Sequence, residues 1–255
     1  MTFAALCAVK LTINGPEAAD NRQVIDFVDV RFHAAPGSWH ELKSFYGDLL
    51  GLEAAEVAQD SLRFRVGGRN LTFARATGSA EPFYHFALLV PGNRFEEAFR
   101  WMNDRLHLLP DPDSGDIVFD FRNWDAQASY CVDPAGNIVE FIAHRGVAEN
   151  LSRGAFASGE LAGFSEVGLV VDDKLGVAQT LANQVGLHTW DGQLNDPRRL
   201  AFAGERARTL ILCPVGRGWL PTDRPAEMHP VEVVVQGVRR GESRFPGAPH
   251  RIVGS

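Results

Sequence analysis

Two residues in the stretch 83–144 are of types that can do chemistry together. His85 lies in the apolar run FYHFALLV, and Glu140 lies in NIVEFIA. Side chains alternate faces along a strand. His85 therefore shares a face with Ala87 and Leu89, and Glu140 with Ile138 and Ile142, while Phe86, Leu88 and Val90 point the other way. A lone imidazole or carboxylate inside an apolar strand is costly to bury unless it is paired or bound to a cation. One divalent cation between the two would satisfy both, and N and O donors suit Zn, Ni, Mn and Fe alike. The alternative is a hydrogen-bonded core histidine and an edge glutamate on strands that never meet.

The elements that would position such a pair recur along the chain. VIDFVDVRF alternates as a strand, with Val28, Val30 and Phe32 on one face and Phe27, Asp29, Arg31 and His33 on the other. SWHELKSFYGDLLGL carries apolar residues at helical spacing, and Gly51 is a helix stop. Three short strands follow in 54–76, with turns at Gln59-Asp60 and Gly67-Gly68. The order strand, helix, strand, strand, strand returns at once: FYHFALLV, then NRFEEAFRWMNDRL with Asn93 as its expected N-cap, then DIVFDF, AQASYCV and NIVEFIA. The last two strands are joined by the turn 133–137.

A third copy starts at FSEVGLVV after a polar linker at 147–162, and VEVVVQG reads as one further strand. A repeat of roughly 50–60 residues is a stronger signal than any single element. The expected fold class is α+β, with repeated βαβββ modules forming cupped mixed sheets and helices on the outer face. The expected divisions are a leader extension at 1–24, paired modules at 25–146, the linker, a third partial module at 163–236, and a tail at 237–255 in part outside regular structure.

Composition narrows the partners. The chain of 255 residues carries a net charge of −7, from 25 basic and 32 acidic residues, which argues against a nucleic-acid partner. No apolar run approaches the roughly 18 residues that cross a membrane. Cys7, Cys131 and Cys213 are far apart and fit a reducing cytoplasm. The expected partner is a small molecule. In SLRFRV, Leu62, Phe64 and Val66 should face the helices, so Arg63 and Arg65 should face a cup with Arg31 and Thr72, ready to bind an anionic or carbonyl-rich substrate. Trp124 is an expected apolar wall. The third module, lacking a full partner, must either dock on the paired modules of its own chain or pair with a second copy in a homodimer, the arrangement favoured here.

FYGDLLGL at 45–52, HFALLV at 85–90 and VDPAGNIVEF at 132–141 resemble the vicinal oxygen chelate superfamily, and the likeness covers about 25–236. That superfamily includes glyoxalases, bleomycin and fosfomycin resistance proteins, and extradiol ring-cleaving dioxygenases. The resemblance implies two modules cupped around a divalent metal, with ligands from the first strand of each module and from a last strand. It makes His85 a first-strand ligand and Glu140 a last-strand ligand that can also move a proton. It departs at Phe27, which stands at the first-strand ligand position of module one. His33, on the same strand face, is the expected substitute, with Gln127 a weaker candidate in the substrate site. In module three the first-strand position is Glu166, and LILCP offers no acid to accompany it. The implied activity is lyase or isomerase chemistry on adjacent substrate oxygens. The other reading is a binding protein of the bleomycin-resistance kind, without turnover.

Overall fold

The computed structural model describes residues 24–255. The leader and Cys7 lie outside the described residues, apart from Val24. Module one comprises β1 (Asp26–Ala34), α1 (Trp39–Lys43) continuing as a wider turn over Ser44–Leu49, β2 (Ala54–Val57), β3 (Ser61–Val66) and β4 (Arg69–Arg75). The helix ends where expected, at Gly51 with φ +69°, a conformation glycine enters without steric penalty. Module two comprises β5 (His85–Val90), α2 (Phe95–Asn103), β6 (Phe119–Phe121), β7 (Ala126–Val132) and β8 (Ile138–His144). Asn93 does not cap α2; its side-chain amide donates to the Asn150 carbonyl at 2.8 Å. Module three comprises β9 (Phe164–Val171), α3 (Lys174–Gln184), β10 (Thr189–Gly192), β11 (Ala201–Glu205) and β12 (Arg208–Pro214).

The remainder is more ordered than its composition suggests. A two-stranded hairpin, β13 (Gly218–Trp219) with β14 (Arg224–Pro225), precedes β15 (Glu232–Gln236). The expected tail forms β16 (Gly241–Phe245) and β17 (Ala248–Gly254), which with β15 make a fourth module without a helix. In β16 and β17 only Ser243, Phe245, His250, Ile252 and Gly254 turn inward. Two of those five are polar, so no apolar alternation marks these strands in the sequence.

The pairing of modules differs from the expected one. Module two does not form a cup with module one. β5 lies antiparallel to β9, giving an eight-stranded sheet in the order β10-β11-β12-β9-β5-β8-β7-β6. Module one pairs with module four in a seven-stranded sheet, β16-β17-β15-β1-β4-β3-β2. The reason lies in the free edge of each first strand. β1 takes the Val-rich β15 as its neighbour, leaving β5 open to the next first strand in the chain. The linker seats that strand directly: Ala162 N–H donates to the Leu89 carbonyl and Leu89 N–H to the Gly163 carbonyl, each at 2.8 Å. Module three is thus paired within its own chain, which removes the unpaired face from which a homodimer was argued.

The outer faces of both sheets share one core. Phe32 of β1 stacks on Phe86 of β5 with ring centroids 5.0 Å apart. The turn 133–137 is fastened to module one by Asp133, whose Oδ2 accepts from the Tyr46 hydroxyl and from Asn137 Nδ2, each at 2.7 Å. The second cluster, with Ala87, Ile138, Ile142, Tyr130 and Ile211, lies on the concave face of the eight-stranded sheet.

Candidate metal centre

The register of β5, β8 and β9 brings three ionisable side chains onto that concave face. Glu140 is the cross-strand partner of Ala87 in the parallel pair β5–β8, and Glu166 is the partner of Ala87 in the antiparallel pair β5–β9. One small residue therefore separates two carboxylates, with His85 on the same face two positions away. His85 Nε2 stands 3.5 Å from Glu140 Oε2. One donor atom from each of His85, Glu140 and Glu166 lies within 4.8 Å of the others. All three are buried, at 5%, 2% and 4% exposure, so solvent does not disperse their charge.

The partners of each group prepare it differently. His85 Nδ1 lies 3.2 Å from the Ile138 carbonyl. A carbonyl only accepts, so Nδ1 is the donor there and Nε2 is the nitrogen turned toward the carboxylates, the orientation a metal-ligating imidazole takes. Tyr130 is the cross-strand partner of Glu140 in β7–β8, and burial with the charges of Glu140 and Glu166 holds its phenol well above the ordinary range, so it stays a donor. Glu166 Oε1 is buried with no hydrogen-bond partner. Burial, then the charge of Glu140, pushes the Glu166 carboxyl well above the usual carboxylate range. Two buried carboxylates at this separation must share a proton or a cation. An orphaned carboxylate oxygen beside an oriented imidazole fits a divalent cation held by one N and two O donors.

The cluster forms the floor of a cavity of about 530 Å³. Its walls are mainly aromatic: Phe121, Trp124, Tyr130, Phe202 and Trp219. The Trp219 ring lies 4.8 Å from the His85 ring, and Trp124 meets Phe202 edge-on at 4.7 Å. Trp124 Nε1 donates to Asp191 Oδ2 at 2.6 Å, which joins modules two and three across the rim. This volume is in the range of sites for small organic ligands.

The other residues read as site candidates are placed elsewhere. His33 lies on β1 in the seven-stranded sheet, with its backbone N–H donating to the Tyr84 hydroxyl, and does not join the cluster. Arg31, Arg63 and Arg65 alternate as expected, but on the seven-stranded sheet. Arg63 meets Glu56 at 3.1 Å and Thr72 Oγ1 at 3.4 Å, and Arg65 bonds Asn70. None of them lines the 530 Å³ cavity. Gln127 is one position out of phase with Tyr130, so it points to the opposite face of the sheet and is exposed. Sequence reasoning set Glu166 aside for lack of a second acid in its own module; its companions come from module two. Arg217 and Trp219, also on the cavity wall, lie in a short segment whose Gly, Arg and Pro content gave no strand signal.

Paired βαβββ modules closing a cup around buried N and O donors define the architecture of the vicinal oxygen chelate superfamily, and this chain has that fold. No family model matches the sequence, and no curated protein sequence matches it at a significant level. Solved structures carry the likeness. A Bacillus subtilis protein provisionally assigned as a dioxygenase aligns over 91% of this chain and 86% of its own, with a TM-score of 0.57 at 15% identity. Glyoxalase I from Zea mays aligns over 90% of this chain and 92% of its own, with a TM-score of 0.53 at 12% identity. Among the described residues, no helix is long and apolar enough to cross a membrane.

Proposed function

We propose that this protein is a metal-dependent enzyme of the glyoxalase and dioxygenase kind, acting on a small molecule with two adjacent oxygens. The observation that carries this reading is the orphaned, buried Glu166 oxygen facing Glu140 and His85. His85, Glu140 and Glu166 would hold a divalent ion, Zn, Ni, Mn or Fe. When bound, such an ion supplies a positive charge that favours negative charge developing on the adjacent substrate oxygens.

The chain's own residues do the rest. The Ile138 carbonyl orients the His85 ring, and Tyr130 stands across from Glu140 on the neighbouring strand. The aromatic walls exclude water and hold a flat substrate over the floor. Moving a proton, the task first expected of Glu140, we assign to Glu166. One of its oxygens, Oε1, makes no hydrogen bond and is placed to take up a proton. Moving a proton beside a bound metal is lyase or isomerase chemistry, the reading favoured here over oxygen insertion. Sequestration without turnover is the weaker reading, because an apolar binding cup gains nothing from three buried ionisable groups.

Metal analysis of protein purified without chelators tests this. About one equivalent of divalent metal is expected, falling sharply in His85→Ala, Glu140→Ala and Glu166→Ala. Protein that carries no metal and takes up none on addition overturns the reading.

A further inference from the structure

We propose that Arg217 recognises an anionic group of the ligand, which makes the ligand class a small planar acid with adjacent oxygens at one end and a carboxylate at the other. This deepens the metal-centre reading and rests on it for the oxygen-bearing end only.

Arg217 lines the same cavity as His85, Glu140 and Glu166. Among the described residues no carboxylate lies within ion-pairing distance of it. Its guanidinium donates to the Gly218 carbonyl at 2.8 Å, and the Cys213 thiol is beside it. The other cations nearby are engaged. Arg122, also on the wall, is exposed and paired with Asp120 at 3.2 Å. The Lys174 ammonium is enclosed by the carbonyls of Gln193, Asp196 and Arg199. A guanidinium offers five donors in a rigid fork that matches a carboxylate. Here most of that fork is free, on a wall otherwise dominated by aromatic and aliphatic side chains.

The backbone under Arg217 is fixed. Its N–H donates to the Pro214 carbonyl at 3.2 Å, and its own carbonyl accepts from Ala226 N–H at 2.8 Å. The side chain thus springs from the junction of β12 and the β13–β14 hairpin. The same hairpin sets Trp219 against His85. A flat acid lying along the aromatic walls can present one end to the floor and the other to this guanidinium.

The test compares two probes of the same shape and different charge, 1-naphthoate and 1-naphthamide, titrated calorimetrically into the Zn(II)-loaded protein. Naphthoate is expected to bind more tightly by roughly tenfold or more, the range of a charge-assisted hydrogen bond. Arg217→Gln should bring the two affinities together while leaving zinc stoichiometry unchanged, and Arg122→Gln should leave the preference intact. No preference in the unaltered protein overturns the proposal. So does a preference that survives Arg217→Gln, which would put the carboxylate on the zinc or on Arg122. If zinc does not bind, the metal-centre reading fails by itself, and the same titrations on zinc-free protein still decide the role of Arg217.

Discussion

Ile211 holds in module three the position that Glu140 holds in module two. Glu140 is the cross-strand partner of Ala87, two residues past His85; Ile211 is the partner of Gly168, two residues past Glu166. The two first strands run antiparallel side by side, so the floor of the cup is a frame of four corresponding positions. Three carry donors, and the fourth carries an aliphatic side chain that lines the cavity. A bound ion would be held on three corners and left open at the fourth, where substrate oxygens could approach.

Filling that corner should be visible in both stability and affinity. Ile211→Glu buries a third carboxylate. Without metal it should lose about 3 kcal/mol or more, the penalty of an uncompensated buried charge. With Zn(II) the loss should be recovered, and an added donor worth only ~1.4 kcal/mol tightens binding tenfold. Urea unfolding of chelated protein and calorimetric titration with zinc check the two halves. An unchanged zinc affinity would show that the Ile211 corner does not face the ion.

Glu166→Gln should separate stability from function. The folded-state pKa of Glu166 is raised, so its stability contribution is present below the unfolded-state value and is lost as pH rises through the folded one. At neutral pH the metal-free fold must hold this buried carboxyl beside Glu140, at the cost of a retained proton or of a second buried charge. The amide removes that cost, and the metal-free variant should be more stable by about 1–2 kcal/mol while binding zinc far more weakly. The same proton competes with metal in the parent protein, so zinc affinity should rise with pH above the usual carboxylate range. Equal stability of parent and variant at neutral pH would contradict the like-charge contact.

His144 should make the fold sensitive to mild acid. It is fully buried at the end of β8, beside Ser165 Oγ at 3.2 Å, with its Nδ1 unpartnered. Burial, reinforced by the positive charges of Arg206 and Arg208, pushes its imidazole from 6.5 down to about 4. The unfolded chain takes up a proton near pH 6.5 and the folded one does not. Stability is therefore lost as pH falls between those values, by about 3 kcal/mol in full. His250, also buried, shifts in the same direction. Unfolding curves from pH 7 to 4 should be flatter in His144→Gln, and the comparison is cleanest in a Glu166→Gln background, which removes the opposing carboxyl.

The parts of this arrangement that were legible in the sequence are those encoded by local period. Alternation placed His85 and Glu140 on definite strand faces, and the helix of module two lies within the segment NRFEEAFRWMNDRL where the repeat put it. The turn 133–137 was legible because Asp133 satisfies its own loop, accepting from the N–H groups of Ala135 and Asn137 at 2.9 Å each. Module pairing was not legible. It depends on which strand covers the free edge of β1, and the answer, β15, lies about 200 residues away. That one long-range contact decides that Glu166, rather than His33, stands beside His85. It also carries Arg31, Arg63 and Arg65 to the other sheet. Arg217 escaped notice because a cavity wall contributed by a hairpin has no periodic signature.

Gly168 makes room for the ring that covers His85. A β-carbon there would lie 2.9 Å from the His85 carbonyl oxygen and 3.0 Å from the Trp219 ring. The carbonyl is backbone of β5, which is paired to β8 at His85 and to β9 from Phe86 on, and cannot give way. Trp219 is carried by a two-stranded hairpin, so its ring is the part that must move. The hairpin is itself held by Arg224, which donates to the Gly136 carbonyl at 3.1 Å and lies 3.4 Å over the Phe83 ring. Gly168→Ala should therefore lose about 1–3 kcal/mol through overpacking. In a Trp219→Phe background the smaller ring leaves space, and the same substitution should lose much less. A coupling of about 1 kcal/mol or more in that double-mutant cycle is the expected result. Additive losses would mean that the strain lies in the backbone of β9 and that Trp219 is not wedged against the floor of the cup.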